Sequence, residues 1–326
     1  MRAILTYADR LAHRGHAVTV VVSARGAVRV SLANARAVGP DWMPGFVPRV
    51  RWVNGWRADR LPDGDVLVAT AWQSAGIAAA APPRCGAKFY LVQHYESLYH
   101  GAASAVDATY RLPLRKIVIS TWLAGIMRER FESPADVLVT PVDPALFHRV
   151  HVEPPGPRPR VLMLHHEYAW KGVTDGFDAV ARARARVPTL RLVGFGVKAP
   201  RGLALYDEFH ANLPQDELAA LYSGADVYLC PSWDEGLGMP PMEAMACGAA
   251  LVTYDNGGCL DYARDGETAL VARRRDMADL ADKLARLAGD AALRARIAEA
   301  GRLLVTTAFD WDRAVARLET LFAAGR

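Results

Sequence analysis

Along most of the chain, short and nearly uninterrupted apolar runs alternate with longer stretches whose apolar residues recur at helical spacing. Runs at 17–22, 49–53, 65–70, 87–92, 116–120, 136–140, 160–164, 190–196, 209–213, 227–230 and 250–254 read as strands, several of them valine-rich. Helical patterns fall between many of them, and again at 173–186, 214–222, 242–247, 276–287, 291–304 and 309–322. Continuous apolar strands separated by helices predict parallel sheets covered on both faces, an α/β architecture. The opening, MRAILTYADRLAHRGHAV, sets Asp9, Arg10 and Arg14 inside its apolar pattern, so it reads as an amphipathic helix and not a signal peptide. No run approaches the ~18 apolar residues needed to span a bilayer.

The pattern breaks most sharply at Glu153-Pro-Pro-Gly-Pro-Arg-Pro159, a stiff proline-dense linker. It predicts a first domain over 1–152, a second over 160–308 and a last helix over 309–326. A chain of 326 residues suits two cores better than one. The net charge of +4 is mild and scattered, which argues against a nucleic-acid partner. Cys85, Cys230, Cys247 and Cys259 have no paired spacing, so a reducing cytoplasm is expected and a metal site is not. Only five of the 39 basic residues are lysines, and with abundant alanine this suggests a GC-rich bacterial genome.

The most informative stretch is DVYLCPSWDEGLGMPPMEAMACGAALVTYDNGG, from Asp226 to Gly258. A buried strand leads into a loop with Glu235, Gly236 and Gly238. A short helix follows, opened by Pro240 and Pro241 and stopped at Gly248, and then another strand. Glycines that let a ligand approach the backbone, next to a helix N-terminus, suit a phosphate. Glu235 and Glu243 frame that site; taken alone, two carboxylates at this spacing could equally be solvated acids beside an ordinary turn.

With its glycines, proline pair and Ala-Cys-Gly ending, Glu235-Gly-Leu-Gly-Met-Pro-Pro-Met-Glu243-Ala-Met-Ala-Cys-Gly resembles the E-x7-E signature of family 4 retaining glycosyltransferases. These are GT-B enzymes, with two Rossmann-like domains facing a cleft, that use nucleotide-sugar donors. The resemblance implies that Glu235 accepts hydrogen bonds from the donor sugar and Glu243 from the ribose. The N–H groups of Gly236, Leu237, Gly238 and Met239 would serve the sugar and diphosphate. Lys171-Gly172 matches the family's Lys-Gly, whose lysine neutralises the diphosphate; His166 stands where the family carries an arginine. A neutral imidazole there stabilises less, and protonating it would help. His165 and His166 do not make a metal site, since adjacent side chains diverge and no third ligand is evident.

Gly194 and Gly196 resemble the family's glycine turn beside the nucleotide, and Asn212 and Leu213 the strand end that touches the base, with Ala211 where glycine is usual. In Phe89-Tyr-Leu-Val-Gln-His94-Tyr-Glu96, His94 falls at a strand end, where open sheets bind ligands. The run is most similar to rhamnosyltransferase-type members, in which such a histidine approaches the donor sugar. Glu96 reads as a helix N-terminal acid. Val139-Thr-Pro-Val-Asp143, ending in Leu146-Phe147, matches the family's Asn-Gly-Val-Asp stretch in part, with Thr140-Pro141 in place of Asn-Gly. The family places a strand and a glycine-rich loop ahead of the first helix, where this chain has about two residues. The sequence is therefore expected either to be cut short or to carry a rebuilt first domain.

The resemblance implies metal-independent transfer of a hexosyl or deoxyhexosyl group with retention, with no cofactor beyond the nucleotide sugar. Acceptors of the glycan, lipid-linked or natural-product kind stay open, as in polysaccharide biosynthesis, and so does the oligomeric state. Trp42 to Arg57 mixes tryptophan and arginine, and could meet such an acceptor or the inner face of a membrane. Three rivals stand beside the transferase: a non-catalytic nucleotide-sugar binder, a nucleotide-sugar epimerase, and a phosphorylase, which the scarcity of lysine disfavours.

Overall fold

A computed structural model describes residues 2–23, 40, 43, 45–153, 156, 158–200 and 203–325. Trp42 of the tryptophan- and arginine-rich segment, and Pro154, Pro155 and Pro157 of the expected linker, lie outside the described residues. The chain forms two compact units, one from Met1–Ile119, Ala124–Thr140 and Asp312–Arg326, the other from Ser120–Leu123 and Pro141–Trp311.

In the first unit, helix α1 (Arg2–His13) leads to strands β1 (Thr19–Ser23) and β2 (Arg49–Val53), which pair in parallel. Next come β3 (Val66–Ala69), α2 (Trp72–Ala79), β4 (Ala87–Val92), α3 (Ala103–Tyr110), β5 (Arg115–Val118), α4 (Thr121–Phe131), which belongs to this unit from Ala124 onward, and β6 (Ala135–Val137). Among the described residues, β3, β4, β5 and β6 make a second parallel sheet in that order. Buried Phe89, Tyr90 and Val92 of β4 and Ile117 of β5 supply much of its core.

The second unit holds β7 (Arg160–Leu164), α5 (Val173–Arg184), β8 (Arg191–Gly196), β9 (Glu208–Ala211), α6 (Gln215–Ser223) and β10 (Val227–Cys230). It continues with α7 (Met239–Ala246), β11 (Ala250–Tyr254), β12 (Leu270–Ala272), α8 (Met277–Gly289) and α9 (Ala291–Thr307). Its six strands are all parallel, in the order β12-β11-β10-β7-β8-β9. Val161 and Met163 of β7, Leu192 of β8, Val227 and Leu229 of β10 and Val252 of β11 meet α5 and α8 in one apolar core. Asp276 and Asp290 cap α8 and α9, accepting from the N–H groups of Asp279 and Leu293. At Gly301 of α9 a side chain would strike the Met245 side chain of α7 and the Thr268 carbonyl, so a glycine lets these two helices meet.

The last helix, α10 (Trp311–Ala323), belongs to the first unit from Asp312 onward. Its Phe322 ring lies 5.0 Å from Phe89, and Glu319 accepts from Arg14 at 2.8 Å and from His16 at 2.9 Å.

Two expectations need correction. The domain boundary falls at Pro141, ahead of the proline-dense linker. Phe147 packs 6.0 Å from the Tyr222 ring and the Val150 N–H donates to Ser223 Oγ at 3.1 Å, so residues before the linker already belong to the second core. Helix α7 starts at Met239, not Met242, which puts Pro240 and Pro241 inside its first turn. The N–H groups of a first turn have no helical acceptor, so the prolines cost nothing there.

Leu229, fully buried in β10, is the simplest probe of the second core. Leu229→Ala is expected to destabilise that unit by about 2–5 kcal/mol, through lost burial and the cavity left behind. Urea unfolding should show its transition at lower denaturant.

Candidate functional site

The sheet of the second unit reverses direction between β7 and β10: β8 and β9 extend to one side of β7, β11 and β12 to the other side of β10. Open α/β sheets bind ligands outside the carboxyl ends of their strands at such a switch point. The loops leaving these two strands carry His166 and Lys171 after β7, and Glu235 to Gly238 after β10.

The two loops are tied by backbone. The Trp233 N–H donates to the Trp170 carbonyl at 2.8 Å. Gly172 has φ of 64°, and any side chain there would collide with the Pro231 carbonyl. Only glycine accepts both this left-handed turn and this approach. Lys171, one residue earlier, reaches across so that its Nζ donates to Glu235 Oε1 at 2.6 Å. Burial alone would lower the Lys171 pKa, but the charge and hydrogen bond of Glu235 outweigh it and hold the value above the ordinary one. Lys171 is therefore a fixed cation at neutral pH.

Beyond Glu235, its N–H donates to the Asn256 carbonyl at 2.9 Å and its own carbonyl accepts from Gly258 at 3.1 Å. Gly236, Leu237 and Gly238 are buried, and among the described residues their N–H groups have no protein acceptor. Gly238 has φ of 92°, and a side chain there would meet the Tyr262 hydroxyl, which donates to the Gly238 carbonyl at 3.2 Å. Met239 then opens α7. A run of buried N–H groups entering a helix N-terminus is a cradle for an anion. Glu243, one turn into α7, is only 6% exposed, and its Oε2 accepts from the buried Tyr222 hydroxyl at 3.1 Å.

His166 Nδ1 accepts from the Tyr168 N–H at 3.1 Å, which leaves the proton of the neutral ring on Nε2. Burial and then the neighbouring Lys171 charge push its pKa below the ordinary histidine value. His165 turns elsewhere: its Nδ1 lies 2.9 Å from the Tyr206 hydroxyl. Among the described residues no cluster of three or more His, Cys, Asp or Glu could hold a metal ion.

The glycine pair divides. Gly194 lies inside β8, where a side chain would strike Tyr206 and Phe209, so this position makes room for core rings instead of forming the expected turn. Gly196 ends β8 at the carboxyl edge, and its carbonyl accepts from the Asn212 N–H at 2.7 Å. Asn212 has φ of 51° and is exposed; Leu213 is half-buried beside it.

In the first unit, His94 follows the end of β4, its ring 6.1 Å from Tyr99 and 6.0 Å from His100. Its carbonyl accepts from the Tyr110 hydroxyl at 3.4 Å. Glu96 Oε2 accepts from the first N–H of α2, that of Trp72, at 3.1 Å, and from Tyr90 at 3.3 Å. Burial raises its pKa. It is a helix N-terminal acid, though the helix is one that precedes it in the chain. Sequence reasoning passed over Asn256, Gly257 and Gly258, which hold the Glu235 backbone; the short Asp-Asn-Gly-Gly run after β11 was the available signal.

Residues 147–304 match the family described as "Glycosyl transferases group 1". A glycogen synthase of Mycobacterium tuberculosis is 32% identical over 182 residues, 52% of this chain and 44% of that protein, so the chain spans less than half of that relative. A D-inositol 3-phosphate glycosyltransferase of Stackebrandtia nassauensis is 28% identical over 95% of this chain and 83% of its own length. Among solved structures, a sucrose-phosphate synthase from Thermosynechococcus elongatus superposes with a TM-score of 0.77 at 18% identity, covering 98% of this chain and 92% of that one. Anabaena HepE, solved with UDP-glucose, superposes with a TM-score of 0.66 at 16% identity, covering 80% of this chain and 79% of that one. The chain thus has the GT-B fold, and residues 147–304, which carry the Lys171–Glu235 pair and its N–H cradle, are similar to the glycosyl transferases group 1 family.

Proposed function

We propose that the chain transfers a sugar from a nucleotide-diphosphate donor to a saccharide, lipid-linked or small-molecule acceptor, with retention and without a metal or further cofactor. The observation that carries this reading is the row of buried, acceptorless N–H groups from Gly236 to Gly238 beside the fixed cation of Lys171, at the sheet's switch point. The diphosphate would take both. Stabilising the departing diphosphate is then the main catalytic term, and one preorganised donor can contribute about 3 kcal/mol. When the diphosphate draws Lys171 away, Glu235 is released to accept from sugar hydroxyls. Glu243 turns from Tyr222 to the ribose, and Gly196, Asn212 and Leu213 border the base. The leaving phosphate takes the acceptor's proton. The group 1 match and the UDP-glucose complex of HepE support this choice of donor.

A non-catalytic nucleotide-sugar binder is the second reading, favoured by His166 where a full cation would serve better and by the engagement of Glu243 with Tyr222. Slow hydrolysis of a nucleotide sugar without acceptor separates the two, and interconversion of free nucleotide sugars would indicate an epimerase. No described helix is long and apolar enough to cross a membrane.

Three outcomes are expected. In a thermal-shift panel of UDP, GDP, ADP, dTDP and CMP, one nucleotide should stand out, adding about 2.7 kcal/mol of stability at a hundredfold excess over its Kd. A flat panel from well-folded protein would end both readings. Titration calorimetry should show Glu243→Ala weakening that nucleotide, whereas Glu235→Ala should chiefly lower kcat; unchanged kinetics in both would remove the site. Because His166 is neutral at pH 7, wild-type turnover should gain as pH falls through its depressed pKa. His166→Arg should bind the nucleoside diphosphate about three- to tenfold more tightly, charge-assisted hydrogen bonds being the stronger kind, and lose that acid-side gain.

A further inference from the structure

Asp234, directly before Glu235, is fully buried. Its carboxylate is ion-paired with Arg274 and with Arg275, whose Nη2 lies 3.1 Å from Asp234 Oδ2. Both arginines come from the turn between β12 and α8, so their partner lies about forty residues back along the chain. Arg275 adopts φ of 56°, a conformation unfavourable for a side chain of its size. Its guanidinium also lies over the Trp233 ring, 4.7 Å from the centroid. Trp233 is fixed at its other end, where Nε1 donates to Asp175 Oδ2 at 2.9 Å, and the same oxygen accepts from the Tyr254 hydroxyl at 3.1 Å.

A buried carboxylate between two arginines is a poor source of stability, since desolvation offsets most of the attraction. It does define one geometry, and a backbone held in a costly conformation marks a position that the surroundings specify. We propose that Asp234, Arg274 and Arg275 are positioning residues for Glu235. Asn256 and Gly258 fix the backbone of Glu235 itself, and the arginine cluster fixes the two residues that lead into it. The need for such a device follows from the Lys171–Glu235 pair. While that pair is intact, Glu235 is aimed by its partner; once a diphosphate engages Lys171, only the loop backbone keeps the carboxylate aimed at the sugar. This inference rests on the transferase reading above.

The test uses Asp234→Asn, which keeps the shape and removes the charge, alongside Arg275→Ala and Arg275→Lys. Asp234→Asn and Arg275→Ala should bind the preferred nucleoside diphosphate within about threefold of wild type but lose about ten- to a hundredfold in kcat, the effect of a small misplacement at a reacting centre. Arg275→Lys should recover part of that loss. In hydrogen exchange, the segment 232–239 of Asp234→Asn should exchange at least about tenfold faster while distant segments are unchanged. The exchange measurement decides the proposal even if wild type proves to have no transferase activity. Wild-type turnover and unaltered exchange in Asp234→Asn would overturn it, as would a loss confined to nucleotide affinity. Should Arg274→Ala/Arg275→Ala fold poorly, adding Asp234→Asn should restore its thermal midpoint by removing the uncompensated charge. No restoration would show that the arginines act apart from Asp234.

Discussion

The Lys171 ammonium and the Glu235 carboxylate lie 2.6 Å apart, both largely buried, and the second unit is arranged so that they meet. Burial alone would lower the Lys171 pKa, and the charge and hydrogen bond of Glu235 reverse that. Paired with Glu235, Lys171 keeps its charge for an incoming ligand. On the proposed reading a diphosphate replaces Glu235 as the partner of Lys171, exchanging one anion for another, and hydrogen bonds from the sugar offset the cost of leaving Glu235 without its cation. On the proposed reading, the freed carboxylate is the one that meets the sugar.

That pair depends on the strand order. β7 and β10 are neighbours in the sheet but more than sixty residues apart in sequence, with β8, β9 and two helices between them. Their loops can approach because Gly172 gives up the side chain that would strike Pro231, and the Trp233–Trp170 backbone bond holds the approach. From Glu235 onward the chain is pinned on one side by Asn256 and Gly258 and turns at Gly238 into α7. The N–H groups of Gly236 to Gly238 are left facing away from every protein acceptor among the described residues. Glycine placement, more than side-chain chemistry, shapes this edge of the sheet.

Much of this was legible in the sequence because it is local. Strands β2, β4, β7, β10 and β11 fall where their apolar runs begin and end, and Gly248 takes the left-handed conformation expected after a helix, with φ of 96°. Lys171 meets Glu235, and the glycines after Glu235 lead into α7. What was not legible is long-range. The run of arginines at 273–275 looks like solvated surface until the fold brings Asp234 against it. Gly194 looks like part of a glycine turn until Tyr206 and Phe209 are seen packing over it. The early domain boundary has the same cause: prolines announce a stiff segment, but Phe147 and Val150 decide which core the residues ahead of it join.

His166 shows how one substitution redistributes charge at such a site. Its Nδ1 is committed to the Tyr168 N–H, so the neutral ring offers one donor, Nε2–H, and burial together with Lys171 keeps it neutral near pH 7. A second permanent cation beside Lys171 would compete for Glu235 and weaken the pair that keeps Lys171 charged without ligand. A neutral histidine leaves the pair intact, but on the proposed reading it shifts the stabilisation of a diphosphate onto Lys171 and the backbone N–H groups. Those groups act only if the loop from Trp233 to Gly238 holds its shape when the Lys171 bond is surrendered. The more that loop must do, the less slack its anchors can have, and the buried Asp234 with its two arginines sits where that demand falls.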